Sequence, residues 1–150
     1  MALSRWEKIP NAGGEAAMVM FHLAMPVVNL EEALAFYTDV LGCQVGRQRS
    51  EWLDVYFFGH QITLHEKPDQ VLPLTQQGVR HFGAILDWGA WQALGDRLLS
   101  LGVALVAGPA VKYRGETREQ GKIFLRDPSG NGIELKAYKF PEIALAFKPF

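Results

Sequence analysis

The sequence predicts an α+β fold in which two βαβββ modules form a curved mixed sheet around one cavity. Three observations carry this. Segments with strand and helix patterns follow one another as strand, helix, strand, strand, strand, and the same order returns after a linker. Each half has a histidine near the start of its first strand, His22 and His81. The spacing from that histidine to the glycine closing the helix is nearly conserved between halves, 20 positions from His22 to Gly42 and 21 from His81 to Gly102.

Residues 19–66 form the first expected module, 67–78 a linker and 79–138 the second, with extensions at 1–18 and 139–150. Met18 to Val27 reads as a buried strand, with Pro26 at its end or edge. Asn29 can cap the next helix, and Glu31 and Glu32 suit the positive end of its dipole. Leu30, Ala33, Leu34, Phe36, Tyr37 and Val40 recur at helical spacing, and Gly42 stops the run. Strands are expected at Gln44 to Gln48, Trp52 to Phe58 and Gln61 to Glu66, with Gly59-His60 as a tight turn.

In the second half, a strand is expected at Val79 to Leu86 and a helix at Trp88 to Leu101, with Trp91, Leu94, Leu98 and Leu99 on its apolar face. Three strands follow at Val103 to Val106, Lys122 to Leu125 and Gly132 to Tyr138. Asp127-Pro128-Ser129-Gly130-Asn131 forms the turn before the last. Loop 111–121 is polar and admits two readings, a lid over a site or a solvated connection.

Composition narrows the functional classes. With 49% hydrophobic and 21% charged residues among 150, the chain can bury a core and does not resemble a disordered one. A net charge of -1 gives no electrostatic footprint for nucleic acid or an anionic membrane. Cys43, the single cysteine, excludes an intrachain disulfide and a Cys-rich zinc site, and reads as a packed thiol. No apolar run reaches the ~18 residues of a membrane helix, and the first residues lack the apolar core of a signal peptide. A cytoplasmic protein is expected. The apolar tail Ile143-Ala144-Leu145-Ala146-Phe147, with Phe150, predicts a homodimer that covers it.

The chemistry-bearing residues are few. Taken singly, a strand histidine is more often a core or surface residue than a ligand. His22 and His81, however, occupy equivalent places in two repeats, which a pseudo-twofold axis would bring together across one cavity. Glu134 lies between Ile133 and Leu135, so its side chain points to the opposite face of its strand. A buried carboxylate needs a partner or a cation. Two imidazoles and one carboxylate around a divalent metal satisfy that need and leave coordination positions open. His65 shares parity with Thr63 and Gln61. It is either a fourth ligand or acid/base group, or an exposed strand-end histidine. His60 falls on the other parity and reads as structural or exposed.

The segment His22-Leu-Ala-Met-Pro-Val-Val-Asn-Leu-Glu-Glu-Ala-Leu-Ala-Phe-Tyr-Thr-Asp-Val-Leu-Gly42 resembles the opening module of the vicinal-oxygen-chelate superfamily, which includes glyoxalases, bleomycin- and fosfomycin-resistance proteins and extradiol dioxygenases. Phe36-Tyr37 followed by Leu41-Gly42 carries the likeness, and Asp127 to Leu135 resembles the closing motif. The resemblance implies a metal-binding cavity with ligands at His22, His81 and Glu134 and a fourth position near His65. It implies one divalent metal, with Fe(II) favoured and Zn, Ni or Mn as alternatives, and a small-molecule substrate. His65 and Tyr138 are the acid/base candidates. The favoured activity is an extradiol-type oxygenase on a small aromatic or enolic diol. A glyoxalase-type isomerase or lyase is the alternative, since such members usually carry glutamate where this chain has Thr63 or His65. Lys112, Arg114 and Lys122 hint at the basic pocket of the fosfomycin branch. A metal-free drug-binding module is the third reading. Family members can also exchange modules between subunits, so a site built from one chain or from two stays open.

Overall fold

The computed structural model describes residues 19–145. The lead-in at 1–18 and the end of the apolar tail lie outside the described residues. The strands are β1 (His22–Val27), β2 (Gln44–Gln48), β3 (Trp52–Phe57) and β4 (His60–Glu66), then β5 (Phe82–Leu86), β6 (Leu105–Lys112), β7 (Gln120–Arg126) and β8 (Gly132–Tyr138). The helices are α1 (Leu30–Ala35), α2 (Leu74–Gln77), α3 (Trp88–Ser100) and α4 (Pro141–Ala144). The predicted α+β repeat is present as two mixed sheets of four strands, in the orders β1-β4-β3-β2 and β5-β8-β7-β6. In each, the first strand runs parallel to the last and the other pairs are antiparallel. The edge strands β1 and β5 are not paired to each other, so the sheets are separate ladders within the chain.

Local chemistry explains the elements. The Asn29 side chain accepts from the Glu32 amide at 2.9 Å and starts α1 as expected. Asp87 does the same for α3 through the Ala90 amide at 2.8 Å. Gly42 and Gly102 both take left-handed backbone, φ 74° and 66°, so the repeat extends to the helix caps. Beyond Ala35 the first helix widens into a π-helical turn over Phe36–Val40, closed by the Leu41 amide on the Phe36 carbonyl at 3.2 Å.

Several expectations shift. The first strand of each half starts late: β1 begins at His22 rather than Met18 and is mostly not buried, with Val19, Met20 and Phe21 exposed, and β5 begins at Phe82 rather than Val79, since the partner strands β4 and β8 offer no pairing further back. The hairpin between β3 and β4 turns on Phe58-Gly59, both at positive φ, and His60 already pairs with Phe57. β6 is longer than expected because irregular pairing carries it through Gly108-Pro109, which leaves only residues 113–119 as loop. That loop closes on itself. The Gly115 amide donates to Glu119 at 2.8 Å, and Arg118 pairs with Glu116 at 2.8 Å and lies 3.9 Å from the centre of the Tyr113 ring.

Alternation along each strand separates two faces. The apolar faces carry Val27, Ile62, Leu64, Leu53, Val55 and Phe57 in the first sheet, and Ile133, Leu135, Ala137, Ile123 and Leu125 in the second. These join one core with Tyr37 and Leu98, and Leu34, Phe36 and Leu94 pack against it. Phe57 meets Phe82 edge-on at 5.4 Å across the module junction, and Arg97 of α3 donates to the Asp39 carbonyl at 2.7 Å. The opposite face of each sheet is polar.

Candidate metal half-site

In the second sheet the polar face presents Gly132, Glu134, Lys136 and Tyr138 from β8 and Lys122, Phe124 and Arg126 from β7, as the register requires. Gly83 stands opposite Glu134 on β5, and a Cβ there would fall 1.7 Å from the Glu134 carbonyl oxygen. The glycine is therefore needed for β5 to lie this close to the carboxylate strand. His81, just before β5, lies beside Gly132, whose added Cβ would be 3.2 Å from the His81 Cβ. A depression of 190 Å³ lined by His81, Gly83, Ile85, Glu134 and Lys136 opens over this face.

His81 and Glu134 are brought together, with Nε2 3.4 Å from Oε2. His81 Nδ1 lies 2.7 Å from the Val79 carbonyl oxygen. A carbonyl only accepts, so Nδ1 carries the proton, and in the neutral ring Nε2 turns a lone pair toward the carboxylate. A proton on Nε2 makes this an ion pair, whereas a neutral ring leaves two acceptors with room for a cation between them, and a carbonyl on the far nitrogen is how metal-bound imidazoles are oriented. The separation suits one transition metal whose ligands lie roughly 2.0–2.2 Å away. The Glu134 side chain is only 11% exposed, and its other oxygen, Oε1, meets Lys122 Nζ at 2.5 Å. Burial pushes the Glu134 carboxyl up, but the Lys122 ammonium, with Lys136 and His81, holds it below the usual carboxylate range.

His22 is on the other sheet. Its strand partner is Gln61, and its charge neighbour is Asp54 rather than Glu134. Among the described residues no three His, Cys, Asp or Glu side chains group around one point, so His22, His81 and Glu134 do not converge within a single chain. The reason is the packing. The modules share a core through their apolar faces, which leaves each polar face open.

The first sheet's polar face is built around Asp54, which is fully buried. It accepts from Thr63 Oγ1 at 2.7 Å, Arg47 Nε at 2.7 Å and Gln61 Nε2 at 3.3 Å. Burial pushes its carboxyl up, but the Thr63 hydroxyl and the Arg47 guanidinium outweigh this and hold it low. The sequence reading missed Asp54. The register also identifies the counterpart of Glu134 in the first module. Ala24 pairs with Thr63 as Gly83 pairs with Glu134, so Thr63 is the equivalent position and His65 corresponds to Lys136.

His65 lies one pleat beyond Thr63 on the same face, beside a groove with Ala24, Pro26, Lys67 and Gln70. Tyr138 shares the face of Glu134 four residues further along β8, roughly 13 Å away at strand rise. His60 takes a structural part, since its Nδ1 accepts from the Phe21 amide at 3.1 Å. Cys43 packs against the core, and burial pushes its thiol up to about 11.

Comparison with known proteins fits this architecture. Residues 19–135 match the Glyoxalase/Bleomycin resistance protein/Dioxygenase superfamily. A glyoxalase/bleomycin resistance protein/dioxygenase from Alicyclobacillus acidocaldarius is 31% identical, with a TM-score of 0.73 over 81% of this chain and 92% of that one. A virulence protein of Salmonella typhimurium is 28% identical over 78% of this chain and 82% of its own. A fosfomycin resistance protein from Listeria monocytogenes, 16% identical, shares the fold, with a TM-score of 0.64 over 84% of this chain and 98% of that one. With paired βαβββ modules and a superfamily match over most of its length, the chain belongs to the Glyoxalase/Bleomycin resistance protein/Dioxygenase superfamily.

Proposed function

We propose that the protein is a metal-dependent enzyme acting on a small molecule with adjacent oxygen atoms, and that it works as a homodimer. One divalent cation is held by His81 and Glu134 of one copy and by His22 of the second copy. The observation that carries this is the convergence of two potential ligand atoms, His81 Nε2 and Glu134 Oε2, 3.4 Å apart over a depression on the polar face. His22 comes from a second copy because in its own chain it stands beside Gln61 and Asp54 and does not group with His81 and Glu134. Ile143 and Leu145, 52% and 45% exposed, add apolar surface for the dimer to cover.

When bound, the metal supplies Lewis-acid stabilisation of negative charge on substrate oxygens. Glu134 and His81 orient that chemistry on the second sheet. Thr63 stands where a fourth ligand, a second carboxylate, would otherwise be, so the donor set stays at two imidazoles and one carboxylate. That set leaves room for a bidentate substrate and for oxygen. It favours a non-haem Fe(II) oxygenase of extradiol type over a Ni, Zn or Mn isomerase or lyase. His65, one pleat beyond Thr63, takes and returns the substrate proton at a ring nitrogen. Tyr138 is the more remote candidate.

One contact supports a second reading. Lys122 already neutralises Glu134, as a metal-free binding module would require. Titration of anaerobically purified protein with Fe(II), Mn(II), Ni(II) and Zn(II) separates the two. The enzyme reading expects one site per chain, abolished by His22→Ala. A parent that takes up none of these metals, or a His22→Ala variant binding them as tightly, leaves the binding-module reading standing.

A further inference from the structure

The apolar face of β1 carries Leu23, Met25 and Val27, but only Val27 is fully buried, while Leu23 and Met25 are half-buried. Phe82, which opens β5, is half-buried as well. The core therefore thins where the unpaired edges β1 and β5 part from each other. A cavity of 310 Å³ lies at this junction, walled by Leu23, Met25 and Phe82 and by Leu72 of the linker. It is distinct from the depression over Glu134, with which it shares only His81 and Phe82. The linker wall is fixed in place, because the buried Gln77 side chain donates to the Leu72 carbonyl at 3.1 Å and accepts from Arg126 at 2.7 Å. Two further polar side chains of the wall are turned onto the protein. Arg80 donates to the Gln76 and Gln77 carbonyls at 3.3 and 3.2 Å, and Asn131 Nδ2 donates to the Pro26 carbonyl at 3.1 Å and to Asp127 at 2.9 Å. Among the described residues no Asp or Glu lines the cavity.

We infer that this junction cavity is a separate small-molecule site, and that its ligand is a neutral aromatic of two fused rings carrying one hydrogen-bond donor. The size follows from the volume. An apolar cavity of about 150 Å³ takes one benzene ring, so this one accommodates roughly twice that. The aromatic character follows from the wall, since the Met25 thioether and the Phe82 ring both gain from an aromatic partner. Neutrality follows from the charges. A cation would meet no carboxylate, and an anion would have to draw the Arg80 guanidinium off the α2 carbonyls. The donor follows from Asn131, whose Nδ2 is spent on Pro26 and Asp127, so that the group it offers a ligand is the acceptor Oδ1. Such a ligand touches β1, β5 and the linker at once. It therefore ties the two modules together and stabilises the folded chain by mass action. None of this depends on the metal reading.

The test titrates the full chain, isotope-labelled at its methionine methyls, with indole and follows the methyl resonances by NMR. Met25→Leu assigns the Met25 signal. That signal is expected to show a saturable ring-current shift, and the melting temperature should rise with indole concentration. Leu23→Trp, which fills the cavity, is expected to weaken indole binding about tenfold or more, and the milder Leu23→Phe should act in the same direction. Parent-like melting without indole establishes that each variant is folded. N-methylindole keeps both rings but has no N–H, and should bind the parent about fivefold more weakly than indole. Glu134→Ala should bind indole as the parent does. A Met25 signal that does not move or does not saturate overturns the inference, as do folded Leu23 variants with parent affinity. Loss of indole binding in Glu134→Ala would put the probe on the polar face and overturn it too. N-methylindole binding as tightly as indole would overturn the donor in the ligand class.

Discussion

The Tyr37 hydroxyl of the first module donates to Oδ2 of Asp127 in the second at 3.0 Å, and both side chains are buried. The two sequence motifs that carry the family resemblance, Phe36-Tyr37 and Asp127 to Asn131, thus meet in one contact. Asp127 also organises its own turn, accepting from the Ser129 and Asn131 amides at 2.9 Å each. From that turn the Asn131 side chain reaches the Pro26 carbonyl at 3.1 Å and the Ser129 hydroxyl accepts from the Val28 amide at 2.8 Å. The turn is therefore a clamp between modules as well as a connection between β7 and β8.

Tyr37→Phe removes the donor and leaves the ring. The expected loss is about 1.5–3 kcal/mol, the range for a hydrogen bond to a charged group. Urea unfolding should show a lower midpoint with unchanged slope. A variant as stable as the parent would show that the clamp does not depend on this bond.

Asp54 makes stability depend on pH in a defined direction. Its folded pKa lies below the unfolded value of about 3.9, so the native state holds fewer protons there. The stabilisation is complete above pH ~4 and is lost as pH falls through the lowered folded value. Asp54→Asn should cost about 1.5–3 kcal/mol near neutrality, and the gap to the parent should narrow on acidification below pH ~4. Urea midpoints of both proteins across that range check the sign. A gap that widens in acid would contradict the assignment.

Cys43, with its thiol pushed up to about 11, should be a poor nucleophile. At pH 8 iodoacetamide should label it about a hundredfold more slowly than free cysteine in the native protein. Labelling at the normal rate is expected only in denaturant.

The remaining histidines separate by role. His60→Ala should lose the hold on the Phe21 amide yet keep full metal binding. His65→Ala should keep the metal and lower turnover if the residue is an acid/base group, whereas loss of the metal would make it a ligand. Metal content and turnover of the two variants decide this.

Much of the fold was legible because its signals are local. The Asn29 cap, the closing glycines Gly42 and Gly102 and the bounds of β2 and β8 follow from residue chemistry and period alone. The length of β6 was not legible, because Gly108-Pro109 reads as a break and only the irregular pairing with β7 absorbs it. The match between Glu134 and Thr63, rather than His65, depends on where a two-residue turn falls. One residue of uncertainty there reverses every face. Asp54 carried the same signal as Glu134, an acid between apolar strand neighbours, and the register then showed the Thr63 and Gln61 side chains that satisfy it. The repeat established that His22 and His81 are equivalent. It could not say whether one chain or two unite them, because that is decided by how the apolar faces pack.

The central claim, one metal shared between copies, is tested most directly by mixing two inactive variants. His22→Ala and Glu134→Ala should each bind no Mn(II) as a pure protein. If the site takes His22 from one copy and His81 with Glu134 from the other, a mixed dimer contains one complete site and one doubly broken site. An equimolar mixture, unfolded and refolded together, should then recover about a quarter of the parent's Mn(II) sites, counted by electron paramagnetic resonance of free and bound metal. A mixture that binds no Mn(II), although the refolded parent binds one per chain, would contradict the shared site.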